Sequence, residues 1–239
     1  MSKARCWAVV PAAGSGRRMA SATAKQYLPL CGRTVLEHSV LALLQVPAVE
    51  AVVVALPADD ELAQGLPLMA DQRVKTVTGG AERCDSVLAG LAALAALGAD
   101  TGDWVLVHDA ARPCLRPDAV ERLLERVAVV GAGGAILAEP IADTVKRADA
   151  QGRVVATVDR SVLWRAQTPQ LFRLGELEGA LHDARRDGVE VTDEASAMEH
   201  CGYPVWLVAG ERRNLKVTEP ADLELAGFYL TSAPERAEY

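Results

Sequence analysis

Two rhythms of apolar residues alternate along the chain. Short apolar runs occur at residues 7–10, 52–56, 104–107 and 135–138, with a β-branched run interrupted by Lys75 at 74–77. Runs this short, bounded by polar and turn residues, predict buried strands. Between them, residues 35–44, 60–69, 86–97 and 119–129 space their apolar side chains at the helical period, which predicts helices with one packed face. Pro117 followed by Asp118, and Pro220 in "TEPADLELAGFYL", mark helix starts, while Gly98 and Gly102 punctuate the end of the third helix. This alternation predicts α/β architecture in one domain over residues 1–239, a Rossmann-like, mostly parallel sheet with helices on both faces.

The rhythm breaks between residues 139 and 170. There "DTVKR" and "RVVATVDR", rich in β-branched residues, flank the turn-like "ADAQG". The pattern predicts a β-hairpin arm over residues 139–163 that projects from the sheet. Apolar residues on such an arm need cover, either from the same domain or from a second subunit. The pattern alone leaves both open.

Composition narrows the class. Aromatics make up only 4% of the 239 residues, so Ala, Val and Leu carry the core, which suits helices on a parallel sheet. The formal net charge of −7 argues against nucleic acid or an anionic membrane as the main partner. A small anion is still admissible wherever cations cluster locally. Cys6, Cys31, Cys84, Cys114 and Cys201 are scattered, with no C-x-x-C pair. That argues against a disulfide framework or a zinc site and for reduced thiols in a cytoplasmic protein. The opening "MSKARCWAVVPAAG" has too short an apolar run for a signal peptide. No apolar stretch reaches the ~20 residues of a membrane span.

The first strand runs into "PAAGSGRRM", with Lys25 downstream. In a parallel α/β sheet, ligands sit at the carboxyl ends of the strands, where strand order reverses. Pro11, Ala12, Ala13, Gly14 and Gly16 would lie there, and the small side chains of Ala12, Ala13, Gly14 and Gly16 leave backbone N–H groups open to phosphate oxygens. Arg18 and Lys25 can add charge-assisted bonds, and Arg17 reads as a structural or solvated partner. The loop is not a P-loop, and Met19 stands where the dinucleotide fingerprint needs Gly or Ala. A tight turn flanked by solvated arginines is the plainer alternative.

Further motifs narrow the reading. "PAAGSGRRM", "AKQYLPLCGRTVLEHSV", "GGAERCDSV", "VHDAARPCL", "TVDR", "QTPQLF", "TDEASAME" and "NLKVTEPADLELA" occur in this order. Together they resemble the 2-C-methyl-D-erythritol 4-phosphate cytidylyltransferase family of the non-mevalonate isoprenoid pathway, over nearly the whole chain. The resemblance implies transfer of a cytidylyl group from CTP to a sugar-alcohol phosphate, with release of pyrophosphate. The attacking phosphate oxygen is already anionic at neutral pH. Catalysis then consists of relieving repulsion between polyanions, a task for cations and a metal.

The resemblance also implies roles. The backbone from Pro11 to Gly16 holds the nucleotide, Arg18 and Lys25 neutralise the triphosphate, and Lys216 approaches the α-phosphate. Without that context, Lys216 reads as an ordinary surface lysine. Gly79, Gly80 and Ser86 contact cytosine and ribose, and Ala81 stands where relatives often carry Asp. Arg83 and Asp85 read equally as a helix-start charge pair. Asp109 falls at a strand end, where one carboxylate plus CTP phosphates suffices for Mg²⁺; the alternative is a salt bridge to Arg112. Ala110 and Arg112 shape the acceptor site, and Arg160, with Thr144 nearby, cradles the acceptor phosphate. In the family the arm is exchanged within a homodimer, so Arg160 would reach the partner's site. Thr168 and Thr192 are hydroxyl candidates for the acceptor, although Thr192 also fits a helix N-cap. His108 reads as structural, as do His38, His182 and His200.

Three competing readings remain at this level. One is a ribitol-5-phosphate cytidylyltransferase with the same chemistry and a different acceptor pocket. Another is a nicotinamide-dependent oxidoreductase with a degenerate glycine-rich loop. The third is a nucleotide sensor without catalysis.

Overall fold

The computed structural model describes residues 5–14, 24–131 and 133–232. Gly16, Arg17 and Arg18 therefore lie outside the described residues. In chain order the elements are β1 (Cys6–Pro11), β2 (Pro29–Leu30), β3 (Arg33–Thr34), α1 (Val35–Leu44), β4 (Val49–Leu56), α2 (Glu61–Gln64), β5 (Val74–Thr78), α3 (Arg83–Ala96) and β6 (Trp104–Val107). They continue with α4 (Pro117–Val130), β7 (Gly134–Pro140), β8 (Val145–Ala148), β9 (Val154–Val158), β10 (Trp164–Arg173), α5 (Leu174–Arg186), α6 (Glu194–His200), β11 (Val205–Ala209) and α7 (Pro220–Thr231).

A seven-stranded sheet in the order β11-β7-β10-β6-β1-β4-β5 forms the centre. Strand β1 pairs in parallel with β4 on one side and β6 on the other, so the order reverses at β1. Only β10 runs against its neighbours β6 and β7. Alternate residues of β1 feed two cores. Ala8 and Val10 pack with Leu36 and Val40 of α1 and Leu123 of α4 on one face. Trp7 and Val9 pack with Leu91 of α3, Leu177 of α5 and Met198 of α6 on the other. Each fully buried Leu contributes about 1.5–3 kcal/mol, so a strand supplying both faces is a natural mount for a site. Helix α3 lies close on β1 because it carries Gly90, where a Cβ would sit 2.4 Å from Val9 Cγ1.

The single helix expected over 60–69 is instead two short pieces. Asp60 caps α2, which ends at Gly65, and Pro67 opens a separate 3₁₀ turn, Pro67–Ala70. Proline has no N–H to continue the first helix. The expected hairpin is present as β8 and β9, a two-stranded sheet of its own. Strand β7 continues through Pro140, so the chain leaves the main sheet after it, and Ile141 N–H bonds Leu163 O at 3.1 Å across the arm's base. Val154, Val155, Val162 and Trp164 are exposed on or beside this arm. Among the described residues, no helix is long and apolar enough to cross a membrane.

Candidate active site

A cleft of about 170 Å³ opens at the carboxyl ends of β1, β5 and β6, at the reversal of strand order. Pro11, Ala12, Ala13 and Gly14 line one wall with Lys25, while Gly80, Ala81, Arg83 and Ser86 line another. Asp109, Ala110 and Lys216 close it. Each wall is tied to its neighbour through the backbone. Ala12 N–H bonds Ala55 O at 2.7 Å, Gly79 N–H bonds Leu56 O at 2.7 Å and Val217 N–H bonds Ala111 O at 2.7 Å. The last bond holds the Lys216 segment against the Asp109 loop.

The two glycines are needed for contact. A Cβ on Gly79 would lie 2.7 Å from both Ala13 Cβ and Ser86 Oγ, and one on Gly80 would lie 2.2 Å from Asp85 Cβ. Ser86 is buried and accepts the Gly80 N–H at 3.2 Å. Asp85 completes the capping box of α3 and pairs with Arg185 at 2.7 Å, not with Arg83. The expected Arg83–Asp85 helix-start pair is therefore corrected, because Arg83 turns inward.

Asp109 is the hub. Its Oδ1 meets Arg83 Nη1 at 2.6 Å, and its Oδ2 meets Arg112 Nε at 3.2 Å and Lys216 Nζ at 3.0 Å. Burial alone would raise its pKa, but Arg83, Lys216 and Arg112 together hold it well below the usual carboxylate range. The salt bridge to Arg112 anticipated as an alternative is thus present. Arg112, only 9% exposed, also donates to Asn214 O at 2.7 Å. Its guanidinium is committed to shaping the loop. Arg83 Nη2 reaches Glu194 Oε2 at 2.8 Å.

Behind Asp109 lies a buried polar layer. Asp109 N–H donates to Thr168 Oγ1 at 2.9 Å. His108 Nε2 faces Arg112 O at 3.1 Å, so that nitrogen carries the proton, and Nδ1 accepts from Thr168 Oγ1 at 3.1 Å. Burial lowers the His108 pKa to about 4, so the imidazole is neutral near pH 7. The structural reading of His108 stands. Thr168 was expected to offer its hydroxyl to an acceptor; instead it is buried and bonded on both sides. Strand β10 supplies two more such groups. Gln167 Nε2 donates to Glu211 O at 2.9 Å, and Gln170 bonds Asp193 Oδ2 at 2.8 Å and Ala195 N–H at 2.9 Å.

Gly79, Arg112 and Thr168 stand outside the cleft lining, and so do Thr144, Arg160 and Thr192. Thr192 is exposed, and the N-cap of α6 is Asp193, one residue later than anticipated, in a box with Ser196. Thr144 and Arg160 sit on the arm, both exposed, with Arg160 bonded to Ala142 O. Lys25 is half-buried, and its charge helps lower the pKa of Asp222, which caps α7. Asp222 Oδ2 takes the Thr218 and Glu219 N–H groups at 2.8 and 2.9 Å, two residues beyond Lys216. Among the described residues, no three His, Cys, Asp or Glu side chains gather as a metal cage. The carboxylates that line the cleft are Asp109 and Glu82, so a divalent ion here would need further oxygens from elsewhere.

Glu194, Gln167, Gln170 and Asn214 were not singled out from sequence, and Arg83 was read only as a helix-start charge. The available signal was the polar "QTPQ" inside an otherwise apolar run.

Comparisons with known proteins agree with this arrangement. The model of the 2-C-methyl-D-erythritol 4-phosphate cytidylyltransferase family matches residues 6–232. A protein of that name from Photobacterium profundum is 52% identical, over 93% of this chain and 95% of its own. One from Pseudomonas aeruginosa is 54% identical, over 91% and 92%. A crystal structure of a 4-diphosphocytidyl-2C-methyl-D-erythritol synthase superposes with a TM-score of 0.81 at 40% identity, covering 95% of this chain and all of that one. The Francisella tularensis cytidylyltransferase superposes with a TM-score of 0.81 at 33% identity, over 94% of this chain and 99% of its own.

Proposed function

The chain belongs to the 2-C-methyl-D-erythritol 4-phosphate cytidylyltransferase family, and from that premise we infer how its own residues divide the work. The reaction moves a cytidylyl group from CTP to 2-C-methyl-D-erythritol 4-phosphate and releases pyrophosphate, a step in isoprenoid precursor synthesis. An acceptor phosphate oxygen forms a bond to the CTP α-phosphorus. The bond from that phosphorus to the bridging oxygen breaks, and pyrophosphate leaves with the electron pair. No proton need be removed from the attacking oxygen.

The carrying observation is the meeting of Lys25, Lys216, Arg83 and Asp109 with a run of small residues at the exit of β1. The backbone of residues 11–14, with Gly16 beyond it in the chain, cradles the nucleotide, and Gly79, Gly80 and Ser86 face its base and ribose. Arg18 and Lys25 neutralise the triphosphate, and Lys216 follows the α-phosphate as a compact, mobile charge. Developing charge on the transferring group is where such cations contribute most. With Ala81 beside Gly80, base selection falls to backbone groups and Ser86.

The donor set fits Mg²⁺ arriving with the triphosphate, because that ion takes few protein ligands and keeps phosphate oxygens and waters. Asp109 would hold it, and the bound ion would supply further neutralisation of the phosphates. Ala110 and Arg112 form the floor under the acceptor. Thr168 acts from behind it through Asp109, and Thr192 stands at the rim.

Four exposed apolar side chains on or beside the arm favour exchange between two subunits over self-cover. In that homodimer, Arg160 and Thr144 of one chain meet the acceptor phosphate in the other. All five cysteines are free, which suits the reducing cytoplasm.

The test is pyrophosphate release from CTP in magnesium-containing buffer. Turnover is expected with 2-C-methyl-D-erythritol 4-phosphate. Turnover with ribitol 5-phosphate alone would overturn the acceptor assignment.

A further inference from the structure

Asp109 is held by three cations, and they are not held equally. Arg112 is only 11% exposed at its side chain and is tied to Asn214 O at 2.7 Å as well. Arg83 is pinned at its far nitrogen by Glu194 at 2.8 Å. Lys216 is 42% exposed and opens on the cleft.

Glu194 is an expensive residue for packing alone. It is the first residue of α6, 1% exposed, with Arg83 as its ionic partner. A buried ion pair is often replaceable by apolar side chains without loss of stability. Yet this carboxylate is carefully set. Gln170, itself 1% exposed, grips both sides of it through Asp193 Oδ2 at 2.8 Å and Ala195 N–H at 2.9 Å. The same strand carries Thr168, which holds the Asp109 N–H. Strand β10 thus fixes both carboxylates that share the Arg83 fork.

We propose that Glu194 is a positioning residue for cytidylyl transfer: by anchoring Arg83 on Asp109, it leaves Lys216 as the cation that exchanges Asp109 for a substrate phosphate oxygen. This rests on the reading of Lys216 as a phosphate-binding residue. With Arg83 locked at both ends, Asp109 keeps part of its compensation when Lys216 departs. Without the Glu194 charge, the Arg83 fork is released toward the incoming phosphates, and Asp109 draws Lys216 back. Either change misplaces charge in the transition state while leaving the nucleotide cradle intact.

The experiment uses Glu194→Gln and Arg83→Lys in the full chain, with folding followed by circular dichroism and melting. Glu194→Gln keeps shape and an acceptor oxygen and removes the charge. Arg83→Lys keeps a charge and loses the second arm of the fork. Each is expected to lower kcat about tenfold while moving the KM for CTP less than about twofold. The double variant should cost no more than either single one, since both break one linkage. A merely structural role would lower the melting temperature and leave kcat of the folded variants near that of the parent. Wild-type kcat in folded Glu194→Gln, or losses that multiply in the double variant, would overturn the proposal. Should Glu194→Gln fail to fold, wild-type kcat in Arg83→Lys overturns it alone. Full activity in Lys216→Ala would instead strike the site reading, which separates the two failures.

Discussion

The peptide N–H of Asp109 donates to the hydroxyl of Thr168, 59 residues further along the chain, at 2.9 Å. That hydroxyl passes its own proton toward neutral His108, whose other nitrogen bonds Arg112 O. One side chain thereby aligns the whole Asp109–Arg112 turn.

Thr168→Val keeps the shape and removes both bonds. Leaving the Asp109 N–H and His108 Nδ1 buried without partners should cost about 1–3 kcal/mol of stability. It should also lower kcat about tenfold or more through displacement of the Asp109 carboxylate. Thr168→Ser should restore most of both. Urea denaturation and steady-state kinetics measure the two effects. A wild-type rate in Thr168→Val would show that Asp109 is placed by other means.

The two lysines of the cleft should fail differently from surface lysines. Lys25→Ala and Lys216→Ala are each expected to lose about two to three orders of magnitude in kcat/KM, because each removes charge compensation at the transferring phosphates. The fold should persist, since neither side chain belongs to the buried core. Near-normal turnover with unchanged circular dichroism would remove that lysine from the mechanism.

Several strands were legible because their burial is written as continuous apolar residues: β1, β4, β6 and β7 fall close to the expected runs, and β5, "VKTVT", was legible from its β-branched residues. Strand β10 was not, because "WRAQTPQLFR" breaks the apolar pattern with Gln167, Thr168 and Gln170. Those residues are buried only because each finds a distant polar partner, which no local pattern reveals. The cleft followed from one topological rule, that ligands gather where strand order reverses. Arg83 and Glu194 could not follow from it. Their contacts span 26 and 111 residues, and at short range Arg83 resembles any charged residue at a helix start.

Exchange of the arm makes a prediction about mixtures. Arg160→Ala should raise the KM for the acceptor more than the KM for CTP, because in the proposed reading Arg160 meets the acceptor phosphate and not the nucleotide. Lys25→Ala disables the nucleotide side. Mixed and re-assorted, the two impaired variants should form heterodimers in which one site combines an intact Lys25 with an intact Arg160 from the other chain. Partial recovery of activity is the expected result. Confirmed heterodimers with no recovery would place the arm over its own subunit.

Asp103 carries a prediction about acid. It is 5% exposed and gathers the Trp7 indole N–H, the Arg5 N–H and the Asp100 N–H, each at 3.0 Å. Burial opposes ionisation, but these bonds and the Arg5 charge outweigh it and lower the pKa from the ordinary aspartate value. As pH falls, the unfolded chain therefore takes up this proton before the folded one does. The stabilisation is complete above the ordinary value of about 3.9 and drains away as pH drops through the folded value. Asp103→Asn cannot titrate there and accepts fewer of the bonds. It should cost about 1.5–3 kcal/mol at neutral pH, the range for hydrogen bonds to a charged group, and flatten the acid limb of the stability curve. Trp7 reports on the change directly through its fluorescence. An acid limb as steep in Asp103→Asn as in the parent would assign that proton uptake to other carboxylates, Asp109 first among them.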